Sequence, residues 1–296
     1  MRIDICICTF RRPHIAETLR SVEAADRPEG TDLRVIVVDN DDTPSGERFV
    51  RETSAAMTLP VEYVHAPGAN ISIARNAGLD AATGDWVAFL DDDEVVEAGW
   101  LAALVDRQRG TGADAVFGHA IAVYGPDAPG WMVAGDFHSQ RAAPRGGVVE
   151  TGHTCNALLR WKGAPWRGER FDLGRGRSGG EDTEFFFRLR GMGAVYAIAD
   201  DSLVREDVAP GRATLDWLLA RRFRIGQSYA ARATGLAGRV SLFGSAAAKS
   251  AWCHLRALPL RDPGARAFWL LRGRMHAGVC AGCLGLAQRA LYGKTP

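Results

Sequence analysis

Five consecutive apolar residues, Trp86 to Leu90, run without a break into four acidic ones, Asp91-Asp92-Asp93-Glu94. An apolar run without alternation suits a strand buried on both faces, the habit of a parallel sheet with helices on each side. The acids then fall where that strand ends. Ligands of open α/β sheets gather beyond the carboxyl ends of the strands, so one segment points to both a fold class and a place for chemistry.

The amino-terminal chain repeats the pattern. Ile3 to Cys8, Leu33 to Val38 and Val61 to Val64 read as further strands, the second ending at Asp39-Asn40 and the third before Pro67-Gly68. Between them Pro13 opens a helix whose Ile15, Leu19 and Val22 share a face, and Ile71 to Ala82 reads as another, stopped by Gly84. Further on the pattern loosens. Strands are expected at Ala115 to Val123, Asn156 to Trp161 and Val195 to Ile198, separated by long Gly, Pro and Arg loops, with a helix over Asp182 to Arg190. From Thr214 the chain reads as helical, broken near 235–238 and 259–264. With 296 residues, 47% of them apolar, it can bury a large core, which excludes a disordered or collagen-like chain.

A net charge of +1 hides a division after Gly211. Residues 212–296 hold fourteen basic side chains and two acidic ones, Asp216 and Asp262, whereas residues 1–211 hold 22 basic and 33 acidic. Two regions are therefore expected: an α/β body over 1–211 and a basic helical region over 212–296. The basic region also carries Phe243, Trp252, Phe268, Trp269 and Leu270. That combination suits an anionic lipid surface or nucleic acid, and equally suits Arg-rich helices packed on the body.

No run of about 18 uncharged residues occurs, so no membrane-crossing helix is expected; Met275 to Gln288 is too short and too rich in Ala and Gly. Met1-Arg2-Ile3-Asp4 leads straight into the first strand with no leader pattern, and six cysteines are too sparse for a disulfide framework. A reduced, cytoplasmic setting follows as the expectation. Cys280-x-x-Cys283 has no second pair and lies in an Ala/Gly/Leu helical stretch, which reads as packing rather than zinc binding.

Adjacent carboxylates repel by about 4 kcal/mol at close range, even at an effective dielectric of about 20. A solvated acidic turn relieves that repulsion, and so does a hard divalent cation. Mg²⁺ or Mn²⁺ takes one or two carboxylates and fills its other positions with water and diphosphate oxygens. Because successive side chains leave a strand on opposite faces, at least one acid must point into the cleft.

Five ordered segments carry a resemblance: Cys8-Thr9-Phe10-Arg11-Arg12, Val37-Val38-Asp39-Asn40, Ala69 to Leu79, Phe89 to Glu94, and Gly180-Glu181-Asp182. In order and spacing the chain resembles the inverting family 2 glycosyltransferases. Within that family it looks most like bacterial exopolysaccharide glucosyltransferases of the succinoglycan-assembly kind. The resemblance implies an α/β fold of the glycosyltransferase-A type, a Rossmann-like, mostly parallel central sheet flanked by helices, followed here by a C-terminal helical tail. It also implies a nucleotide-sugar donor, UDP-linked, and a Mn²⁺ or Mg²⁺ ion. By the same resemblance Thr9, Phe10 and Arg11 line the nucleotide pocket, Asp39 bonds the uracil or ribose, and Arg75 lies near the base. Asp91 and Asp92 face the donor, with Asp92 at the ribose and sugar, and Asp93 binds the metal. Asp182 matches the general base, with Glu181 as helper. Read locally, Arg75 can instead be the partner of a carboxylate, and an acid at a helix start after two glycines also describes an ordinary cap.

Processive relatives carry Gln-x-x-Arg-Trp where this chain reads Leu218-Leu219-Ala220-Arg221-Arg222-Phe223. The departure implies transfer of a single sugar, with Arg221 or Arg222 either closing over the diphosphate or bridging tail to body. His153, Thr154 and Asn156 are expected on the acceptor half, and Trp131, Trp161 and Trp166 are candidates to stack on a sugar. The resemblance implies a glycan or polyprenyl-diphosphate-linked acceptor at the inner face of the cell membrane, with no nucleic-acid partner. Two alternatives remain. A sugar nucleotidyltransferase needs a Gly-rich loop after the first strand, and Cys8 to Pro13 has no glycine. A non-catalytic sugar-nucleotide or anionic-surface binder would not need Asp92, Asp93 and Asp182 intact.

Overall fold

A computed structural model describes residues 1–144, 146–230, 233 and 235–286. Strands β1 (Arg2–Thr9), β2 (Asp32–Asp39), β3 (Val61–His65) and β4 (Trp86–Asp91) lie in the order β3-β2-β1-β4, all parallel. Each of β1, β2 and β4 buries both faces, which is why these strands read as unbroken apolar runs. Ile3, Ile5 and Ile7 join Val35, Val37, Ala88 and Leu90 beneath helices α1 (Ile15–Ala24), α2 (Glu47–Ser54) and α4 (Trp100–Thr111). Cys6, Ile36, Val38, Val87 and Phe89 face the other way, toward α3 (Ile71–Ala81) and α6 (Glu181–Gly191).

The sheet continues through β8 (Asn156–Arg160), β6 (Ala115–Tyr124), β9 (Tyr196–Val208) and β5 (Glu94–Val96), with β7 (Gln140–Arg141) beside β6. The expected parallel pattern holds for the first four strands and for β6 with β9, whereas β8 runs against both its neighbours. Among its described residues, the segment between β6 and β8 contains only the short α5 (Gly130–Gly135) and β7. Lacking a long crossover helix, it returns β8 antiparallel. β9 outlasts its expected end at Ile198 because its second half is exposed on alternate residues, with Ser202 and Val204 inward. Such a half-exposed strand leaves no apolar run to read.

Beyond a 3₁₀ turn (Pro210–Arg212) come α7 (Leu215–Tyr229), α8 (Gly235–Ala257) and α9 (Pro263–Cys283), broken where the Gly and Pro signals lie. Thr214 caps α7 by accepting from the Trp217 N–H, and Asp262 caps α9 by accepting from Ala265 with Pro263 next in line. α9 packs on both α7 and α8. A Cβ added at Gly226 would overlap the Met275 carbonyl, and one at Gly278 the Phe223 carbonyl, so α7 and α9 touch backbone to backbone. That approach explains the Ala and Gly content near 275–283 and the packing role of Cys280 and Cys283, both free thiols. Met132 and Phe137 of the body meet Leu218, Ala267 and Leu271 in one apolar cluster. No described helix is long and apolar enough to cross a membrane. Gln288 and, of the fourteen basic side chains of the C-terminal region, Arg232, Arg289 and Lys294 lie outside the described residues.

Candidate active site

The four acids at the end of β4 divide into two kinds. Asp92 is 4% exposed and turns into the body, where the Thr9 hydroxyl donates to one carboxylate oxygen at 2.7 Å and Arg12 to the other at 2.7 Å. Thr18 donates to its backbone carbonyl at 3.0 Å. Burial pushes the Asp92 carboxyl up to about 6, with Arg12 opposing and Asp93 adding to the shift. Glu94 is also buried, accepts from the Asp91 N–H at 2.9 Å and stands opposite Glu206 in the β5–β9 ladder. Burial raises it well above the usual carboxylate range, with the neighbouring Asp91 adding to the shift. Asp91 and Asp93 keep open sides, 39% and 25% exposed, with Arg12 also reaching Asp93 at 2.7 Å.

The turns after β1 and β2 are tied together. Asp39 is fully buried and accepts from the Asp41 N–H (3.0 Å), the Gly46 N–H (2.7 Å) and the Tyr63 hydroxyl (2.8 Å), so it braces the 40–46 loop. A Cβ at Gly46 would stand 3.1 Å from that carboxylate and 3.2 Å from Thr9, tighter than ordinary contact. Arg11 adopts a left-handed φ of 56°, lies over the Phe10 ring and donates to Asp41 at 2.8 Å, holding the Asp41 carboxyl below its usual range. Thr9 is thus buried against Asp92, while Phe10 and Arg11 stand at the rim.

The Ala69–Leu79 segment uses its polar side chains as a clamp. Asn70 caps α3 and donates to the Leu173 carbonyl at 3.0 Å; Ser72 donates to Asp172 at 2.8 Å; Asn76 exchanges two bonds with the Phe171 backbone. The clamped loop then passes Gly179 and Gly180, with φ of 90° and 85°, and enters α6 at Glu181-Asp182. A Cβ at Gly180 would overlap Ser228 of α7, so neither the dihedral nor the space admits another residue. Arg75, 7% exposed, pairs with Glu181, lies 3.6 Å from Asp91 and sits over the Phe171 ring. One guanidinium therefore joins the acidic strand end to the start of α6.

Asp182 accepts from the Thr183 N–H at 2.6 Å and lies 3.2 Å from His153 Nδ1. Burial works to raise its carboxyl, but His153, Arg75 and the Thr183 amide outweigh it and leave Asp182 below the ordinary range, ionised at neutral pH. Glu181 goes the other way, raised by burial and by Asp182 against Arg75. A cavity of about 160 Å³ opens on Asp182, lined by His153, Arg221, Arg224, Ile225 and Ser228 among others. The His153 contact escaped the sequence reading, for 29 residues and an irregular loop separate the two. So did Arg224.

Several expected acceptor contacts are structural instead. Trp161 and Trp166 are fully buried, with Arg167 over one ring and Arg160 over the other, so neither can stack on a sugar. Thr154 is buried, and Asn156 is held by the Trp100 indole and by the carbonyls of His119 and Ser202. Trp131 packs on Phe137. Arg221 and Arg222 tie α7 to the body by donating to the carbonyls of His138 and Phe137, and of the two Arg221 also lines the Asp182 cavity.

Among the described residues no three His, Cys, Asp or Glu side chains form a cage for a cation. A Mg²⁺-like ion held by one or two carboxylates, water and substrate phosphates needs none. The two open carboxylates, Asp91 and Asp93, are the donor set that fits such an ion.

The same arrangement of sheet and helices is found in solved glycosyltransferases. The chain superposes on a mannosyltransferase from Pyrobaculum calidifontis, solved with GDP-Man and Mn²⁺, with a TM-score of 0.64 at 20% identity, over 95% of this chain and 86% of that one. That likeness shows the glycosyltransferase-A fold. Residues 4–163 match the Glycosyl transferase family 2 model, and the chain belongs to that family. The succinoglycan biosynthesis protein ExoM of Rhizobium meliloti (strain 1021) is 47% identical over 99% of this chain and 96% of its own length. The GalNAc(5)-diNAcBac-PP-undecaprenol beta-1,3-glucosyltransferase of Campylobacter jejuni is 29% identical over 40% of this chain and 38% of its own.

Proposed function

We propose that this glycosyltransferase is a metal-dependent inverting enzyme of exopolysaccharide biosynthesis. It moves a single sugar from a nucleotide sugar, UDP-linked, to a glycan or polyprenyl-diphosphate-linked acceptor. The observation that carries the reading is Arg75, which touches Asp91 and Glu181 together and so sets the acidic strand end beside the base helix. The likeness to ExoM supports the exopolysaccharide assignment, and the printed name of the Campylobacter relative supports a lipid-linked acceptor.

In this reading residues 1–211 bind the donor and residues 212–296 add α7 as a wall of the Asp182 cavity. Thr9, Phe10, Arg11 and Asp39 shape the nucleotide end. Asp93, with Asp91 beside it and Asp92 fixed behind, holds Mn²⁺ or Mg²⁺; when bound, the ion neutralises charge on the leaving diphosphate. Asp182 accepts the proton of the acceptor hydroxyl as that oxygen bonds to the anomeric carbon from the far side. The bond from that carbon to the phosphate oxygen breaks, its electron pair leaves with the nucleoside diphosphate, and the configuration inverts. Glu181, fixed on Arg75, orients the segment. A lipid-linked acceptor places this work at the cytoplasmic face of the membrane, with the chain attached peripherally through its basic region.

Titration calorimetry with UDP-glucose, UDP-galactose and GDP-mannose, each in Mn²⁺, Mg²⁺ or EDTA, tests the reading. Uridine donors should bind only with a cation, and Asp93→Ala should abolish that requirement together with the affinity. Equal binding in EDTA overturns the metal dependence, and preference for GDP-mannose overturns the uridine assignment.

A further inference from the structure

Helix α8 runs for 23 residues, of which only Ala246, Cys253 and Ala257 are buried. At about 100° per residue these three share one narrow sector, the side that meets α9. Val240, Leu255 and, just past the helix end, Leu258 lie away from that side at 63%, 61% and 73% exposure, and Leu236, at 79%, lies at the edge of the same face. Exposed Gly244, Ala248 and Ala251 fill the steps between them, and Trp252, 57% exposed, edges the row. The spacing of three and four residues makes an apolar stripe, with the small exposed Ser241 as its one polar side chain. Eight of the fourteen large apolar side chains exposed in the described chain lie at or beyond Leu236. A surface built only for water scatters such residues rather than aligning them.

The charge around the stripe has one sign. No acid occurs between Asp216 and Asp262, while Arg239, Lys249 and Arg256 lie on α8, and Arg261, Arg266, Arg272 and Arg274 follow. Asp262 itself is taken by the cap of α9. At the end of the stripe Arg256 sits over both Trp252 (5.9 Å) and Trp269 (5.4 Å), and Phe268 meets Trp269 edge-on. Aromatic rings with a cation beside them suit the boundary between acyl chains and headgroups. No described helix is long and apolar enough to pass through a bilayer. An apolar face, basic flanks and insufficient length together define a helix that lies in the interface.

We infer that α8 docks flat on an anionic bilayer. Its Leu236–Leu258 stripe and Trp252 enter the acyl boundary, and Arg256 and Arg261, at the Trp252 end, meet lipid phosphates. This deepens the proposed membrane attachment by naming the element and its mode, insertion of a stripe rather than charge alone, and it does not depend on the catalytic chemistry.

The test is co-sedimentation of the full chain with phosphatidylglycerol/phosphatidylcholine vesicles and with phosphatidylcholine vesicles alone. The chain should bind the anionic vesicles and not the neutral ones. Replacing Trp252→Ala and Leu255→Ala together should weaken binding by about thirtyfold or more, given the area those side chains remove from water. Replacing Arg256→Gln and Arg261→Gln should weaken it by about tenfold, with a shallower salt dependence. All four positions are solvent-exposed, and matching thermal melts will show that the variants are folded. Absence of binding, binding indifferent to the alanine pair, or a solution dimer broken by that pair without vesicle binding would each overturn the inference. Sugar transfer to a soluble acceptor is read in parallel. A chain that binds vesicles and transfers nothing leaves the docking intact and removes only the catalytic reading.

Discussion

The α/β body and the helical region that follows it hold together by different means. In the body, β1, β2 and β4 bury large aliphatic side chains on both faces, and charges stand in pairs: Arg34 on Asp4 and Glu62, Arg12 on Asp92 and Asp93, Arg75 on Glu181. In the helical region α7 and α9 meet through Gly226 and Gly278, and the basic side chains have almost no acids to meet. The difference is instructive. A rigid body whose buried charges are paired can present a few unbalanced carboxylates to a charged ligand. A region joined by backbone contact leaves its larger apolar residues free to face outward.

The sharpest way to test the contrast is to remove one group from each region. Asp182→Asn should lower turnover by about 10² to 10⁴-fold, measured by steady-state sugar transfer, whereas Trp252→Ala should leave transfer to a soluble acceptor unchanged. Next in size is Arg75→Met, which strands Glu181 as a buried acid; a loss of about 3–5 kcal/mol is expected in denaturant unfolding. A neutral result would mean that pairing is not what stabilises the body. Gly278→Val forces a side chain into the Phe223 backbone and should cost about 3 kcal/mol. Circular dichroism and limited proteolysis should place the damage in residues 212–286, with the sheet intact.

The smallest effect is pH dependence confined to the body. Asp92 has a folded-state pKa of about 6 against an ordinary 3.8, so the folded chain binds its proton more tightly than the unfolded chain does. Its stabilising contribution, at most about 3 kcal/mol, is complete below about pH 4 and is lost as pH rises through about 6. Thermal melts across that interval should show the slope in the parent protein, and Asp92→Asn should flatten it. A slope that survives the substitution assigns the titration to another group.

How much was legible in the sequence follows the same division. The first four strands could be read because burial on both faces removes every polar residue from a run such as Val35 to Val38. The later half of β9 could not, since Asp200, Asp201 and Arg205 interrupt any pattern while remaining compatible with a half-exposed strand. The place of the acidic run was evident, but its division into buried Asp92 and Glu94 and open Asp91 and Asp93 was not. Thr9 and Arg12, which hold Asp92, lie some eighty residues earlier. His153 reached Asp182 by tertiary folding alone. Trp161 and Trp166 looked as suitable for a sugar as any tryptophan at a surface; solvent exposure decides the matter, and composition carries no record of it.

Because α7 forms one wall of the Asp182 cavity, the partition between the two regions runs through the proposed reaction centre rather than beside it. On the proposed function, recognition of the two substrates is then divided between two stretches of one polypeptide, the donor read by strand ends and the incoming hydroxyl by a helix. A chimera carrying α7 to α9 from a relative should exchange acceptor preference while keeping the parent's choice of sugar nucleotide. New linkages would arise by remodelling the helical half while the donor half stays unchanged.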